Sequence, residues 1–429
     1  MRLVSTRTGA GVCAAMLLAA TVPAQAAVDE KLLEMLRANG SISAGQYAEL
    51  QGELARDKQA QAQQIAAAQE AKKQELSAFE QKVAWAAKTQ IKGDVRLRYE
   101  DQNTDGAASN SGKDQDRQRV RARFGVYSEI NPQVDAGIRL ATGSSSDARS
   151  TNENLDNYFV KKSSWIDLAY LDYHPTALPN LHLIGGKMLQ PWVNMGDVIW
   201  DGDINPEGLT ATYKHSLGGK NELFGSAGYY NLKDNVDGEG VQFRHDLRMY
   251  AGQLGGRFGL TDNLKLTVGG SVYGFDGDGE DTSGTGKLSG INGNSANEQF
   301  KLYEGFAQMD VSGLAIPLAM YGQFVKNADA SDDRDTAWLV GAKTKVFDKW
   351  GLDYNYRDVQ RNAVVGAFTD SDFGGGFTGA RGHKLKVSYD IDKNFALGAT
   401  YFMAESDTYV TNKTDADVDT LQVDVEAKF

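Results

Sequence analysis

Arg119-Val-Arg-Ala-Arg-Phe-Gly-Val-Tyr127 decides the fold. Val120, Ala122, Phe124 and Val126 alternate with Arg119, Arg121, Arg123 and Tyr127. Side chains on a strand alternate faces with period two, so this stretch reads as a strand with one apolar and one polar face. The pattern recurs on both sides of it. Ile91, Val95, Leu97 and Tyr99 alternate with Lys92, Asp94, Arg96, Arg98 and Glu100, and Val134, Ala136, Ile138 and Leu140 alternate with Asp135, Gly137 and Arg139. At the far end Leu421, Val423, Val425, Ala427 and Phe429 alternate with Gln422, Asp424, Glu426 and Lys428.

The same reading predicts sixteen strands between Ile91 and Phe429, joined by connections that alternate short and long. The short ones fall at Asn131–Gln133, His174–Asn180, Ser216–Lys220, Thr261–Asn263, Ser312–Ile316, Phe347–Lys349 and Asp390–Asn394. Between them run long polar stretches such as Asp101–Gln115, Gly143–Ser163, Asp276–Gln299 and Asp358–Gly379. Pro132, Pro175, Pro179, Pro191, Pro206 and Pro317 all fall in connections or at a strand start. A soluble sandwich has comparable loops at both ends and buries its apolar faces against a second sheet. An outer-membrane barrel turns apolar side chains to lipid and polar ones to a wet lumen, with short turns at one rim and long loops at the other. Closure also satisfies every backbone group in lipid. The expected fold is all-β and transmembrane: a closed antiparallel barrel of about 16 strands, preceded by an α-helical segment.

Composition agrees. The chain has 429 residues, 47 glycines, 7 prolines and one cysteine, with 57 acidic against 45 basic side chains. Mean hydropathy is only −0.44, as expected when half of every strand and all loops are wet. An acidic chain without a basic tail argues against a nucleic-acid partner. Residues 1–26 read as a signal peptide: Arg2 and Arg7, an apolar core from Val12 to Ala20, then the small-residue site Ala24-Gln-Ala26. Cys13 lies inside it, so the exported chain has no thiol chemistry, and its charge moves from −12 to −14 as the two arginines leave.

Residues 27–88 are expected to be helical and periplasmic. Leu32, Leu33 and Leu36 share a face, Asn39-Gly40 stops the first helix, and Ser43 caps a longer one. There Leu54, Ile65 and Leu76 recur every 11 residues, with Ala68 and Phe79 at the same spacing, which gives a nearly straight seam. Gln61, Gln64 and Lys72 fall near that seam. Self-association into a coiled-coil bundle and a solvated lone helix both remain open.

Five segments resemble the Gram-negative outer-membrane "putative porin" family: Gly93-Asp-Val-Arg-Leu-Arg-Tyr99, Asp116-Arg-Gln-Arg-Val-Arg-Ala-Arg-Phe-Gly125, Ile138-Arg-Leu-Ala-Thr-Gly143, Gly185-Gly-Lys-Met188 and Trp200-Asp-Gly-Asp-Ile-Asn-Pro-Glu-Gly208. The resemblance covers about residues 89–429. It implies an outer-membrane diffusion channel, embedded in outer-membrane lipid and assembled as a homotrimer. The terminal Phe429 resembles the signal read by barrel-assembly machinery. The helical segment resembles the periplasmic helices that precede some porin barrels.

With Val120, Ala122 and Phe124 turned to lipid, Arg119, Arg121 and Arg123 enter the lumen, joined by Arg96, Arg98 and Arg139 from the adjacent strands. The opposite register would set these arginines in hydrocarbon at about 2–4 kcal/mol each near the midplane. Such a basic wall shapes the field that passing ions feel; the alternative is that Asp94, Glu100, Asp135 and Glu129 pair with it and stiffen it. Leu189–Pro206 resembles the third outer loop that narrows many porins. Trp192 and Trp200 would anchor it, while Asp197, Asp201 and Asp203 would face the arginines. Lys161 and Lys162, in the preceding loop, are further basic candidates.

Other chemistry is poorly supplied. Asp276, Asp278, Glu280 and Asp281 lack the glycine and terminal Glu of a calcium loop, and Gly284-Thr-Gly286 lacks a strand-to-helix context. His174, His182, His215, His245 and His383 have no metal-ligand spacing, so neither metal nor cofactor is expected. A barrel hydrolase would need a nucleophile beside His174 or His182, and none is evident. The remaining alternative is a tether, with the helices binding peptidoglycan and the barrel as anchor.

Overall fold

The computed structural model describes residues 30–105, 114–234, 246–277, 288–410 and 415–429. The predicted signal peptide with Cys13, His245, Asp278, Glu280, Asp281 and the Gly284–Gly286 cluster lie outside them. The chain divides into a helical unit ending at Ala84 and a second unit, Trp85–Phe429.

In the helical unit, α1 spans Glu30–Ala38 and α2 spans Ala44–Ala87. Gly40, at φ +78°, ends α1 in the left-handed region. Ser43 and Gln46 then form a reciprocal cap: Gln46 N donates to Ser43 Oγ at 3.3 Å, and Ser43 N donates to Gln46 Oε1 at 2.9 Å. Leu33 and Leu54 are the buried side chains here. Ile65, Leu76 and Phe79, the other members of the 11-residue pattern, are exposed.

Among the described residues, the second unit is one sheet of seventeen strands. In chain order these are β1 (Thr89–Thr104), β2 (Gln115–Asn131), β3 (Val134–Thr142), β4 (Glu153–Asn154), β5 (Ser164–Tyr173), β6 (Leu181–Lys187), β7 (Glu207–Gly218), β8 (Asn221–Lys233) and β9 (Leu247–Gly259). They continue with β10 (Leu264–Asp276), β11 (Lys301–Val311), β12 (Leu318–Asn327), β13 (Thr336–Val346), β14 (Trp350–Val359), β15 (Ala380–Asp390), β16 (Phe395–Ser406) and β17 (Ala416–Lys428). The two-residue β4 only clips a long connection onto β2. The other sixteen pair antiparallel with their sequence neighbours, and β1 pairs with β17. The sheet is a closed 16-strand barrel.

The last residue completes the seam. Gly93 N donates to Phe429 O and Phe429 N to Gly93 O, both at 3.0 Å. The Phe429 ring lies over Gly93, where a Cβ would meet it at 2.5 Å, so this position needs glycine.

All seven short turns expected from the sequence join consecutive strands, and the long connections lie at the opposite rim. Leu97, Tyr99, Phe124, Ile138 and Leu140 point outward and are exposed, while Asp94, Arg98, Arg119 and Arg121 point inward and are buried. The predicted register is therefore the observed one. Leu97→Arg, in mid-strand on the outer face, is expected to destabilise the barrel by about 2–4 kcal/mol in urea unfolding from lipid vesicles. Unchanged stability would place that face in water.

Candidate functional site

The inward face of β1, β2, β3 and β17 carries the predicted arginines. The register sets Arg96 opposite Arg121 and Arg98 opposite Arg119, like-charge neighbours that would repel without compensation. Compensation comes from acids threaded between them. Asp94 accepts from Arg121 (2.8 Å) and Arg123 (2.7 Å). Arg121 also reaches Glu426 at 2.6 Å, and Arg98 forms a fork with Asp424 at 2.8 and 2.9 Å. Glu100 gathers Arg98, Arg117 and Arg119, and Arg139 pairs with Asp167. Arg96 differs: it donates to Asn152 Oδ1 at 2.7 Å and meets no carboxylate among the described residues.

Two of the four acids expected to pair with the wall, Asp94 and Glu100, do so. Glu129 instead binds Lys88, and Asp135 contacts His174 at 3.4 Å. In the sequence Asp424 and Glu426 show only as alternating polar positions at the far end of the chain. Closure of β17 onto β1 makes them partners.

The third long connection, 188–206, folds into the barrel. Trp192 and Trp200 lie 5.0 Å apart, each edge-on to Tyr273, and Trp192 also meets Tyr230 edge-on. Val198 and Ile199 are fully buried in the same cluster. Gln253 on β9 fixes the loop backbone from both sides, accepting from Val193 N at 2.8 Å and donating to Val193 O at 3.0 Å.

A second inward loop, 360–379, shows in the sequence only as a long polar connection. Its Ala363-Val-Val365 run joins the cluster, and Phe368 stacks on Trp200 at 5.4 Å. Four hydrogen bonds clasp the two loops: Asp201 N to Phe368 O (2.7 Å), Asp370 N to Asp197 O (3.1 Å), Ser371 N to Asp201 Oδ2 (2.8 Å) and Thr369 Oγ1 to Val198 O (2.8 Å). Arg149 donates to the carbonyls of Gly366, Thr369 and Gly376 and holds the loop's far side. The signal available in the sequence is three consecutive apolar residues with Phe368 and Phe373 inside a loop. A third segment joins through Asn294, which accepts from Gly366 N at 2.7 Å. Leu288 and Phe300, on the same connection, enter the cluster too.

The three aspartates of 188–206 divide their work. Asp203 turns to the wall, 3.7 Å from Arg123, and also accepts from Thr151 N and Oγ1. The Asp201 carboxylate turns instead to loop 360–379, where it accepts from Ser371 N, whereas Asp197 meets that loop through its backbone carbonyl and its carboxylate accepts from Asn194 at 3.3 Å. Burial first, then the neighbouring Asp370 and Asp197 charges, push the Asp201 carboxyl well above the usual carboxylate range. Burial likewise raises Asp197. From the second loop, Asp372 reaches Arg98 at 3.3 Å. Burial alone would raise its pKa, but Arg98, with Gln422, Arg119 and Lys384, brings it down to about 2. Lys161 and Lys162 line an outer concavity of about 400 Å³ with Arg119 and Asn152.

Apolar loop packing therefore fills the β8–β14 side of the lumen, and the charged wall of β17, β1, β2 and β3 faces the loop acids Asp203 and Asp372. Among the hydrogen bonds of the described residues, His182 meets Asp172 and no serine hydroxyl.

The sequence profile of a family described as "Putative porin" matches residues 101–298 and 294–429. A 31-residue stretch, 7% of the chain, is 74% identical to "Phosphate starvation-inducible protein 1" of Pseudomonas fluorescens and covers 80% of that protein. Among solved structures, OprB of Pseudomonas putida (high-pH structure) superposes with a TM-score of 0.54 at 10% identity, over 82% of this chain and 97% of that one. OmpF of Salmonella typhi, in complex with daunomycin, gives 0.47 at 12% identity, over 80% and 97%. The OprB likeness is one of fold.

Proposed function

The chain belongs to the "putative porin" family of outer-membrane channels, and from that premise we propose a passive, water-filled path for small hydrophilic solutes and ions. Its selectivity comes from a transverse field at the constriction. The observation that carries this reading is the pairing of wall cations with acids of the inward loops, Arg123 with Asp203 at 3.7 Å and Arg98 with Asp372 at 3.3 Å. Preorganised charges of opposite sign orient a polar solute and choose between ions without any chemical step. The short near-identity to a protein named for phosphate starvation makes inorganic phosphate the first solute to try.

In this reading residues 1–26 are removed on export, residues 27–88 lie in the periplasm, and Phe429 is read by the assembly machinery. The exposed Ile65, Leu76 and Phe79 on α2 support self-association of copies, in keeping with a trimer, more directly than they support peptidoglycan binding.

The test is single-channel recording of the purified protein in a planar bilayer under a salt gradient. Stepwise openings are expected. Arg121→Ala should shift the reversal potential toward cations, because Glu426 and part of the Asp94 charge are then uncovered. An unchanged potential removes the arginine wall from selectivity, and a silent, folded barrel overturns the channel.

A further inference from the structure

Most of the arginines that line the constriction are already neutralised by carboxylates. Apart from Arg96, which meets Asn152 rather than a carboxylate, a further group of uncommitted cations lies on other strands. Lys343, Lys384 and Lys386 project from the inward faces of β13 and β15, and none has a carboxylate within ion-pair distance among the described residues. The strand register groups them: Lys343 is opposite Asp353, Asp353 is opposite Lys386, and Lys384 is two residues along β15 from Lys386, opposite Asn355. Residues two apart on one strand share a face about 6.6 Å from one another.

We propose that these three lysines form an anion-binding station for phosphate-class oxyanions, on the short-turn side of the constriction. The proposal deepens the channel reading and rests on it. Lys343 and Lys386 line a cavity of about 870 Å³ together with Lys265, Asp310, Asp353 and two ion pairs, Lys220–Asp262 and Lys345–Asp390. That is ample room for a hydrated oxyanion. Lys384 carries the positive field upward. Its charge is felt by both Asp197 and Asp372 in the two inward loops, and Lys386 is within electrostatic reach of Arg98. An anion leaving the arginine wall would therefore find the next uncommitted cations on these strands.

The surrounding acids keep the station weak. Asp353 stands between Lys343 and Lys386 but is held by the Tyr321 hydroxyl at 2.5 Å. Asp424 is engaged by the Arg98 fork. Both lower the net field without closing an ion pair on the lysines. A channel needs this balance, because a site must attract an ion and still release it. Lysine suits such a site, since its ammonium is a mobile point charge on a flexible stem. Lys343 and Lys384 lie above the rings of Tyr321 and Phe402, each at 5.2 Å.

The experiment titrates inorganic phosphate into the full folded protein in detergent, by calorimetry, for the wild type, K384Q/K386Q and K384R/K386R. Saturable binding is expected in the wild type. Affinity should fall by roughly tenfold or more in the glutamine pair, since two charge-assisted contacts are lost, and should persist in the arginine pair. Circular dichroism and heat-modified gel mobility confirm that each barrel is folded. No saturable phosphate binding, or the same affinity in the glutamine pair, overturns the station. Bilayer recordings of the wild type separate the two readings. A conducting pore that binds no phosphate overturns the station and leaves the channel. A silent pore with lysine-dependent phosphate binding overturns the open channel and supports the station.

Discussion

Trp200→Ala is expected to raise single-channel conductance while the barrel stays folded. The indole is 3% exposed and touches Trp192, Tyr273 and Phe368. Truncating a buried tryptophan costs about 3–5 kcal/mol. That loss falls on the packing of loop 188–206 against loop 360–379 and against Tyr273 of β10, because the strand pairings do not pass through Trp200. The four clasp hydrogen bonds each contribute only about 1 kcal/mol net, so they cannot hold the loops in place once the ring is gone. The loops should loosen toward the lumen's open side, and the apolar filling between β8 and β14 should admit water. Planar-bilayer conductance at fixed salt reads the widening, and a thermal melt in detergent reads the loss of loop packing. Trp192→Ala should act in the same direction, since that ring touches Trp200, Tyr230 and Tyr273. An unchanged conductance in both variants would mean that ions do not pass beside this packing at all.

The two parts of the molecule differ in how much of them can be read in one dimension. Phe124 and Arg123 announce their faces because lipid and water impose opposite costs on neighbouring positions. That constraint repeats along every strand, so barrel, register and turns are all legible. The inward fold of 188–206 is legible too, because Trp192 and Trp200 sit among prolines and aspartates in a long connection. Loop 360–379 is not. Ala363, Val364 and Val365 have no period, and their partners Val198 and Trp200 lie more than 160 residues upstream. The acids of the wall escape for a related reason. Asp424 and Glu426 meet Arg98 and Arg121 only because the chain's end returns to its first strand. Sequence neighbours such as Asp135 and Glu129 are the wrong partners to expect, since pairing follows the register across strands rather than proximity along one.

Asp201→Asn is expected to flatten a pH dependence that the wild type shows above about pH 4. The Asp201 carboxyl is buried, with the Asp370 and Asp197 charges beside it, and its pKa in the folded protein lies well above the ordinary value of about 3.9. A raised folded pKa means that the neutral acid is favoured. Its contribution to loop closure is fully present below the unfolded pKa and is lost as pH rises through the folded one. Each pH unit separating the two pKa values is worth about 1.4 kcal/mol. Asp372 has the opposite sign. The Arg98 guanidinium outweighs its burial and brings it down to about 2, so its contribution is present above about pH 4 and is lost only in strong acid. The two windows overlap in mild acid, where Asp201 is neutral and Asp372 is still charged. The loops should be tightest there, with the lowest conductance, and conductance should rise as Asp201 ionises. Asparagine keeps an acceptor for Ser371 N, so the variant should hold the mild-acid conductance across the range, with a smaller slope left by Asp197. Conductance recorded at constant salt against pH checks both curves. A wild-type conductance that falls with rising pH, or a full slope surviving in Asp201→Asn, would assign the loop clasp to other groups.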